Sequence, residues 1–265
     1  NILAPLRTQT LALWAPLDGD GGYRVILYPF VHGDNAKVVG LSAEQWREFG
    51  MTLRAVHDSG LEARFRGQLR TETFTLPSAA LLRQVMATLN APAVESPTAA
   101  QLASFLYGNR ERIEAMLARA EELGRALQTR RFEMGLCHAD IHTANILVGD
   151  EGCIWLIDWD GPMIAPRERD LLFVIGSRIA RPVSPDDEDH FFDGYGPVDI
   201  DPDALIYYRY ERIIEDLGEF GRIVLFQADV SESTRQSEAA LAMSFFEPNG
   251  DLARAETVSR LRWPR

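Results

Sequence analysis

Residues 136–170 read LCHADIHTANILVGDEGCIWLIDWDGPMIAPRERD, and the reading of the chain turns on them. Met134 to Cys137 is short and apolar, which predicts a buried strand. Asn145 to Val148 predicts a second strand, Gly149 to Gly152 a turn, and Cys153 to Ile157 a third strand ending at Asp158. A hairpin of this shape brings Asn145, at the start of one strand, near Asp158, at the end of its partner. An amide oxygen and a carboxylate then converge on one hard cation, and magnesium takes such ligands.

Asp140 stands five positions before Asn145, and Asp158 thirteen after it. Phosphoryl transfer needs a carboxylate to accept the proton of the attacking hydroxyl, and an amide oxygen and a second carboxylate to hold magnesium against the nucleotide phosphates. The catalytic loop H-R-D-x-x-x-x-N of protein kinases has this frame. Here His138-Ala139-Asp140 and Asn145 occupy it, with Ala139 in place of the arginine. A rival reading takes the alternating His138, Asp140 and His142 as metal ligands of a hydrolase. It needs further ligands, and the remaining histidines, His32, His57 and His190, stand in unrelated contexts. Cys137 and His138 are not a nucleophile–base pair, because neighbours on a strand point to opposite faces. His138 is expected to hydrogen-bond and hold the loop. His142 touches nucleotide or substrate, or faces solvent. Asp160 shares a side with Asp158 if the strand persists; it then assists metal or substrate, or else is a solvated turn residue.

A chain of 265 residues can bury a full core. The net charge of −12 disfavours nucleic acid, whose phosphates are bound by basic surfaces, and suits a cationic, amine-bearing small molecule or simply solubility. The cysteines Cys137 and Cys153 read as reduced core thiols of a cytoplasmic protein. No apolar run is long enough to cross a bilayer, and no membrane partner is expected. Lys37, the sole lysine, falls in the polar loop Gly33 to Lys37 with no strand around it, and no glycine-rich phosphate loop stands near the start.

Along the chain, Gln9 to Trp14 and Tyr23 to Tyr28 predict strands joined by a turn at Asp18 to Gly22. Tyr28-Pro29-Phe30 breaks the second strand, since proline cannot donate to a ladder. Ser42 to Ser59 predicts a helix with a Ser42–Gln45 capping box and a stripe of Trp46, Phe49, Leu53 and Val56, ended by Gly60. His57 at its end reads as a dipole or packing residue. A helix over Pro77 to Leu89 and a loop over Asn90 to Pro97 lead to one long helix, Ala99 to Arg130, capped by Thr98 and Gln101. Leu102, Leu106, Ile113, Met116, Leu117, Leu123 and Leu127 form its core stripe. Arg167 to Ile179, Asp186 to Phe192, Leu205 to Phe220 and Ser231 to Phe246 predict further helices, with a loop over Asp193 to Pro202. Asp170 is either a buried carboxylate accepting from the catalytic-loop backbone or a solvated first-turn acid. Tyr207, Tyr208, Tyr210, Glu211, Glu215 and Asp216 crowd together, as a pocket for an amine or as an ordinary polar face with aromatic packing.

With these residues in hand the chain resembles the aminoglycoside phosphotransferase and choline kinase group, most closely its spectinomycin phosphotransferase branch. The likeness rests on Tyr28-Pro29-Phe30-Val31-His32, on Gln45-Trp46 with Leu53-Arg54 and His57, and on Leu136 to Asn145. It continues through Ile157 to Asp160, Ala165 to Leu171, Gly194-Tyr195-Gly196 and Tyr207 to Ile213. The resemblance implies an α+β, protein kinase-like two-lobed fold. Residues 1–31 would be what is present of the nucleotide-binding lobe and hinge, and 32–265 the mainly helical lobe. The lobe is expected to be incomplete, without the family's phosphate-contacting lysine and its glutamate partner. Asp140 would be the catalytic base, Asn145 and Asp158 the magnesium ligands, and Tyr28, Pro29 and Phe30 the adenine-binding hinge. Asp170 and His138 would support the loop, and Asp160 and Glu211 would face the substrate. The implied reaction transfers the ATP γ-phosphoryl group to a hydroxyl of an aminocyclitol or aminoglycoside, with magnesium, in a monomer or homodimer. A kinase of another amine-bearing metabolite, or a non-catalytic binder on the same fold, is the alternative.

Overall fold

In a computed structural model, residues 1–17, 22–89, 95–257 and the backbone of 262–263 are described. The chain divides into two compact units, one of residues 1–70, 135–198 and 263–265, the other of 71–134 and 199–262.

The first unit begins with a short antiparallel ladder, β1 (Ala15–Pro16) against β2 (Arg24–Val25). The pairing therefore lies outside Gln9 to Trp14, where Leu11 takes a left-handed φ of 64° and turns the chain. Most of the expected turn, residues 18–21, lies outside the described residues. The supposed loop at Gly33 is instead β3 (Gly33–Asn35) followed directly by α1 (Ala36–Val39), so Lys37 sits in a short helix. Asn35 causes the switch locally, because its side chain accepts from the Lys37 amide and caps the helix.

Helix α2 (Ala43–His57) has the expected capping box: Ser42 Oγ accepts from the Gln45 amide while Gln45 Oε1 accepts from the Ser42 amide. Trp46, Phe49, Leu53 and Val56 are all buried. Burying each such side chain contributes about 1.5–3 kcal/mol relative to exposure. The helix ends at Asp58, and Gly60, at φ 68°, starts α3 (Leu61–Phe65). After β4 (Arg70–Thr71) the chain leaves this unit and returns at β5 (Gly135–Cys137). Three strands follow: β6 (Ile146–Gly149), β7 (Ile154–Leu156) and β8 (Met163–Ala165). β6 pairs antiparallel with both β3 and β7, and β5 pairs antiparallel with β8.

The helix expected over Arg167 to Ile179 is only α7 (Glu168–Leu171). Beyond it the amides of Phe173 and Val174 reach back three residues, to Asp170 and Leu171, so the chain runs on in tight turns. Helix α8 (Pro185–Tyr195) is longer than expected and takes in Asp193. It starts from a second capping box, Ser184 with Asp187, has proline at its first position, and stops at Gly196, φ 86°. α2 and α8 touch at paired glycines: a Cβ on Gly50 would lie 2.1 Å from the Phe191 carbonyl oxygen, and one on Gly194 2.0 Å from that of Arg47.

The second unit is helical. Its long α9 (Pro202–Phe226) begins at an Asp201 cap and exceeds the expected Leu205 to Phe220 at both ends. It packs with α4 (Ala79–Ala87), α5 (Pro97–Gly108), α6 (Arg110–Leu127), α10 (Glu232–Ser244) and α11 (Asp251–Arg254). The single long helix expected from Ala99 is thus two helices. Asn109 breaks it: its backbone takes φ −104° and ψ 13°, and its side-chain amide joins its backbone amide on the Phe105 carbonyl, a back-bond that bends a helix. The cap is Ser96, not Thr98; Pro97 takes the first position, and Thr98 Oγ1 donates instead to Glu232. All seven residues of the predicted stripe are buried. Residues 90–94 of the expected loop lie outside the described residues. No helix among the described residues is long and apolar enough to cross a membrane.

Candidate active site

β5 delivers Cys137 into His138-Ala139-Asp140, and the chain leaves the strand at once. Ala139 takes a φ of 72°, a left-handed conformation that costs a non-glycine residue about 1–2 kcal/mol. Asp170 holds the backbone in that form. Its Oδ2 accepts from the His138 amide at 2.9 Å and its Oδ1 from the Ala139 amide at 2.7 Å. Asp170 is wholly buried, on α7. Burial pushes its carboxyl up, but the hydrogen bond and interaction with His57, and then with His138, outweigh this and bring it below the ordinary aspartate value.

His57 completes the brace. Its Nε2 is 2.9 Å from Asp170 Oδ2 and its Nδ1 2.7 Å from the Tyr195 hydroxyl. With a carboxylate on one nitrogen, Nε2 donates, and neutral imidazole then accepts the tyrosine proton at Nδ1. Burial pushes the Tyr195 phenol up, so it remains a donor. This role was missed from the sequence. Leu53 to His57 is an i,i+4 step, so the signal was present: His57 continues the buried stripe of α2.

His138 is committed as well. Its Nδ1 accepts from the Asp140 amide at 3.3 Å, so its Nε2 donates to the Ile157 carbonyl at 2.8 Å. Its ring lies against Trp159, centroids 4.4 Å apart. It thereby ties the Asp140 loop to the residue before Asp158. The alternating metal set of a hydrolase fails on this geometry, since both His138 nitrogens are engaged and the residues do not continue a strand. Among the described residues, the metal-capable cluster is His57, Cys137 and Asp170, and its histidine nitrogens and carboxylate oxygens already hold hydrogen bonds. Burial, then the Asp170 charge, pushes the Cys137 thiol well up, so it is no nucleophile.

Asn145 ends a tight turn, Thr143–Asn145, and β6 begins at Ile146, one residue later than expected. Its Nδ2 donates to the Asp140 carbonyl at 2.8 Å and lies 3.5 Å from Asp140 Oδ2. Its carbonyl accepts from the Ile157 amide at 3.0 Å, which extends the β6–β7 pairing to the residue beside Asp158. Asp158 is exposed and takes a φ of 63°, strained for aspartate. The residues fit a magnesium ion by donor chemistry. The Asn145 amide spends its nitrogen on Asp140, and Asn145 Oδ1 and the Asp158 carboxylate accept no hydrogen bond among the described residues. Both are hard oxygens.

Asp160 is exposed, and it does not share a strand face with Asp158, because β7 stops at Leu156. Tyr28, Pro29 and Phe30 lie outside any strand; the Phe30 ring is 82% exposed and stands edge-on to His32. Glu211 is buried on α9 in the second unit. Its neighbours Tyr207 and Tyr208 are fully buried against Phe74 and belong to that unit's core, not to a ligand surface. Burial and Glu256 push the Tyr210 hydroxyl to about 12.

A spectinomycin phosphotransferase crystallised with ADP and spectinomycin is 31% identical, with a TM-score of 0.83 over 96% of this chain and 76% of that one. The AMP-bound complex of a spectinomycin phosphotransferase gives 31% and 0.84, over 98% and 79%. An aminoglycoside phosphotransferase from Alicyclobacillus acidocaldarius, 17% identical, shares the fold with a TM-score of 0.54 over 96% and 76%. No curated protein sequence matches. These likenesses show the expected α+β, kinase-like fold. The model of the APH phosphotransferase enzyme family matches residues 1–208, and the chain belongs to that family.

Proposed function

We propose that this phosphotransferase moves the γ-phosphoryl group of ATP to a hydroxyl of an aminocyclitol, spectinomycin or a close relative, and so confers resistance to it in the cytoplasm. The observation that carries the reading is the Asp140–Asn145 pair, held on a loop that Asp170 fixes through paired backbone amides. Asp140 accepts the hydroxyl proton as the oxygen attacks the γ-phosphorus and ADP leaves. The positioned carboxylate supplies proximity and the correct acceptor at once. Asn145 and Asp158 would hold magnesium, which supplies charge neutralisation on the phosphates when bound. Residues 1–31 belong, in this reading, to the nucleotide lobe, with Tyr28 to Phe30 as its hinge, and Asp160 serves the substrate. Two similar structures carry ADP or AMP, and one carries spectinomycin, which supports both donor and acceptor.

The test is phosphate transfer from labelled ATP to a panel of spectinomycin, aminoglycosides, choline and ethanolamine, by wild type and Asp140→Asn. Transfer to spectinomycin, lost in the variant while its melting temperature stays, is expected. Full activity of Asp140→Asn refutes the mechanism, and preference for another amine refutes the substrate.

A further inference from the structure

His142 Nε2 lies 3.6 Å from Asp140 Oδ2. That separation exceeds a direct hydrogen bond, and it lets one further oxygen contact donor and acceptor together. The ring is held in place. Its side chain is only 15% exposed, its face meets Phe173 edge-on with centroids 5.9 Å apart, and its carbonyl accepts from the Asn145 amide at 2.8 Å. The surrounding sequence gives the position its meaning. From Asp140 to Asp160 the chain carries Asp140, Asp150, Glu151, Asp158 and Asp160 and no lysine or arginine. His142 is the one basic side chain in that stretch. A phosphoryl group in transfer spreads negative charge over its equatorial oxygens, and a fixed N–H aimed at them lowers the barrier.

We propose that His142 is a further catalytic residue whose Nε2–H donates to an oxygen of the phosphoryl group as it passes to the hydroxyl on Asp140. The inference rests on the phosphotransfer reading of the site. The bond from the hydroxyl oxygen to phosphorus forms, the bond from phosphorus to the ADP oxygen breaks, and the hydroxyl proton goes to Asp140. His142 donates from Nε2–H and keeps that proton throughout.

The test titrates wild type, His142→Ala and His142→Gln with ADP and with an imido analogue of ATP that cannot transfer its γ-phosphate. Glutamine places an amide N–H near the lost Nε2. His142→Ala is expected to weaken the analogue about tenfold more than ADP, as loss of one charge-assisted hydrogen bond would. His142→Gln recovers most of that difference. In turnover, His142→Ala lowers kcat about 10²-fold, the cost of one such donor, with the acceptor KM nearly unchanged. Equal weakening of ADP and analogue, or of neither, overturns the assignment. So does wild-type-like kcat in His142→Ala when Asp140→Asn is dead. A selective loss of analogue binding with full turnover in Asp140→Asn upholds the His142 contact and overturns Asp140 as the base.

Discussion

His57 Nε2 and Asp170 Oδ2 meet at 2.9 Å, both side chains wholly buried, although 113 positions separate them. Through that bond the end of α2 fixes the carboxylate that in turn fixes the backbone of His138 and Ala139. Removing one partner of a buried hydrogen bond costs about 1–3 kcal/mol, because the group left behind stays desolvated. His57→Leu is therefore expected to lower stability by about that amount in chemical denaturation. It should also lower kcat more than the acceptor KM, since the loop that carries Asp140 loosens. An unchanged unfolding midpoint would show that Asp170 needs no help from His57.

The same carboxylate makes stability depend on acid. Its folded-state pKa lies below the ordinary 3.8, so its contribution is complete above the ordinary range and is lost as pH falls through the folded value. The stability gap between wild type and Asp170→Asn should be constant above about pH 5 and close as pH falls below about 4. Melting curves of both proteins across this range check it; a gap that widens in acid reverses the sign.

How far these features could be read in advance depended on how local their causes are. Ser42 and Gln45 are neighbours on one turn, so their capping box was legible. Asn35 was not, because β3 forms by pairing with β6 across the register Asn35↔Leu147, a partner no local pattern reveals. The break at Asn109 was hidden by an unbroken apolar stripe: Leu106 and Ile113 stay on one face on either side of it, and the interruption is the backbone of Asn109, at φ −104° and ψ 13°. The frame of Asp140, Asn145 and Asp158 was legible as spacing. The left-handed backbone at Ala139 was not, since alanine does not favour it and distant bonds hold it there, and at Asp158 it was not because aspartate takes it only in a minority of places.

Gly50 and Gly194 set the spacing of α2 and α8. An added methyl at either meets a backbone carbonyl, which cannot swing aside as a side chain would. Alanine ordinarily strengthens a helix relative to glycine by about 0.5–1 kcal/mol. Here overpacking should win, and Gly50→Ala and Gly194→Ala should each destabilise by about 1–3 kcal/mol. Urea midpoints decide between the two signs.

The thiols should separate cleanly. Cys137 is buried, donates to the Ala165 carbonyl and has its pKa raised, whereas Cys153 is partly exposed. A thiol reagent at about pH 8 should label Cys153 in the native protein and both residues only after denaturation. Rapid native labelling that survives Cys153→Ser would mean that β5 opens, and with it the brace on the loop.

Arg235 closes the end of α9 from α10. The last carbonyls of a helix have no partner within it, and this buried guanidinium donates to those of Ile223 at 3.1 Å and Val224 at 2.8 Å, and also to that of Gln227. A planar fork reaches several carbonyls at once, which a lysine ammonium on a longer-swinging stem does not. Arg235→Met should leave those carbonyls buried and unpaired, costing about 1–3 kcal/mol, and Arg235→Lys should recover less than half of it. The loss should appear in hydrogen exchange as faster opening of the α9 C-terminal turn, while the amides of His138 and Ala139, in the other unit, keep their protection. Equal stability of wild type and Arg235→Lys would show that charge alone, without the fork, holds the helix end.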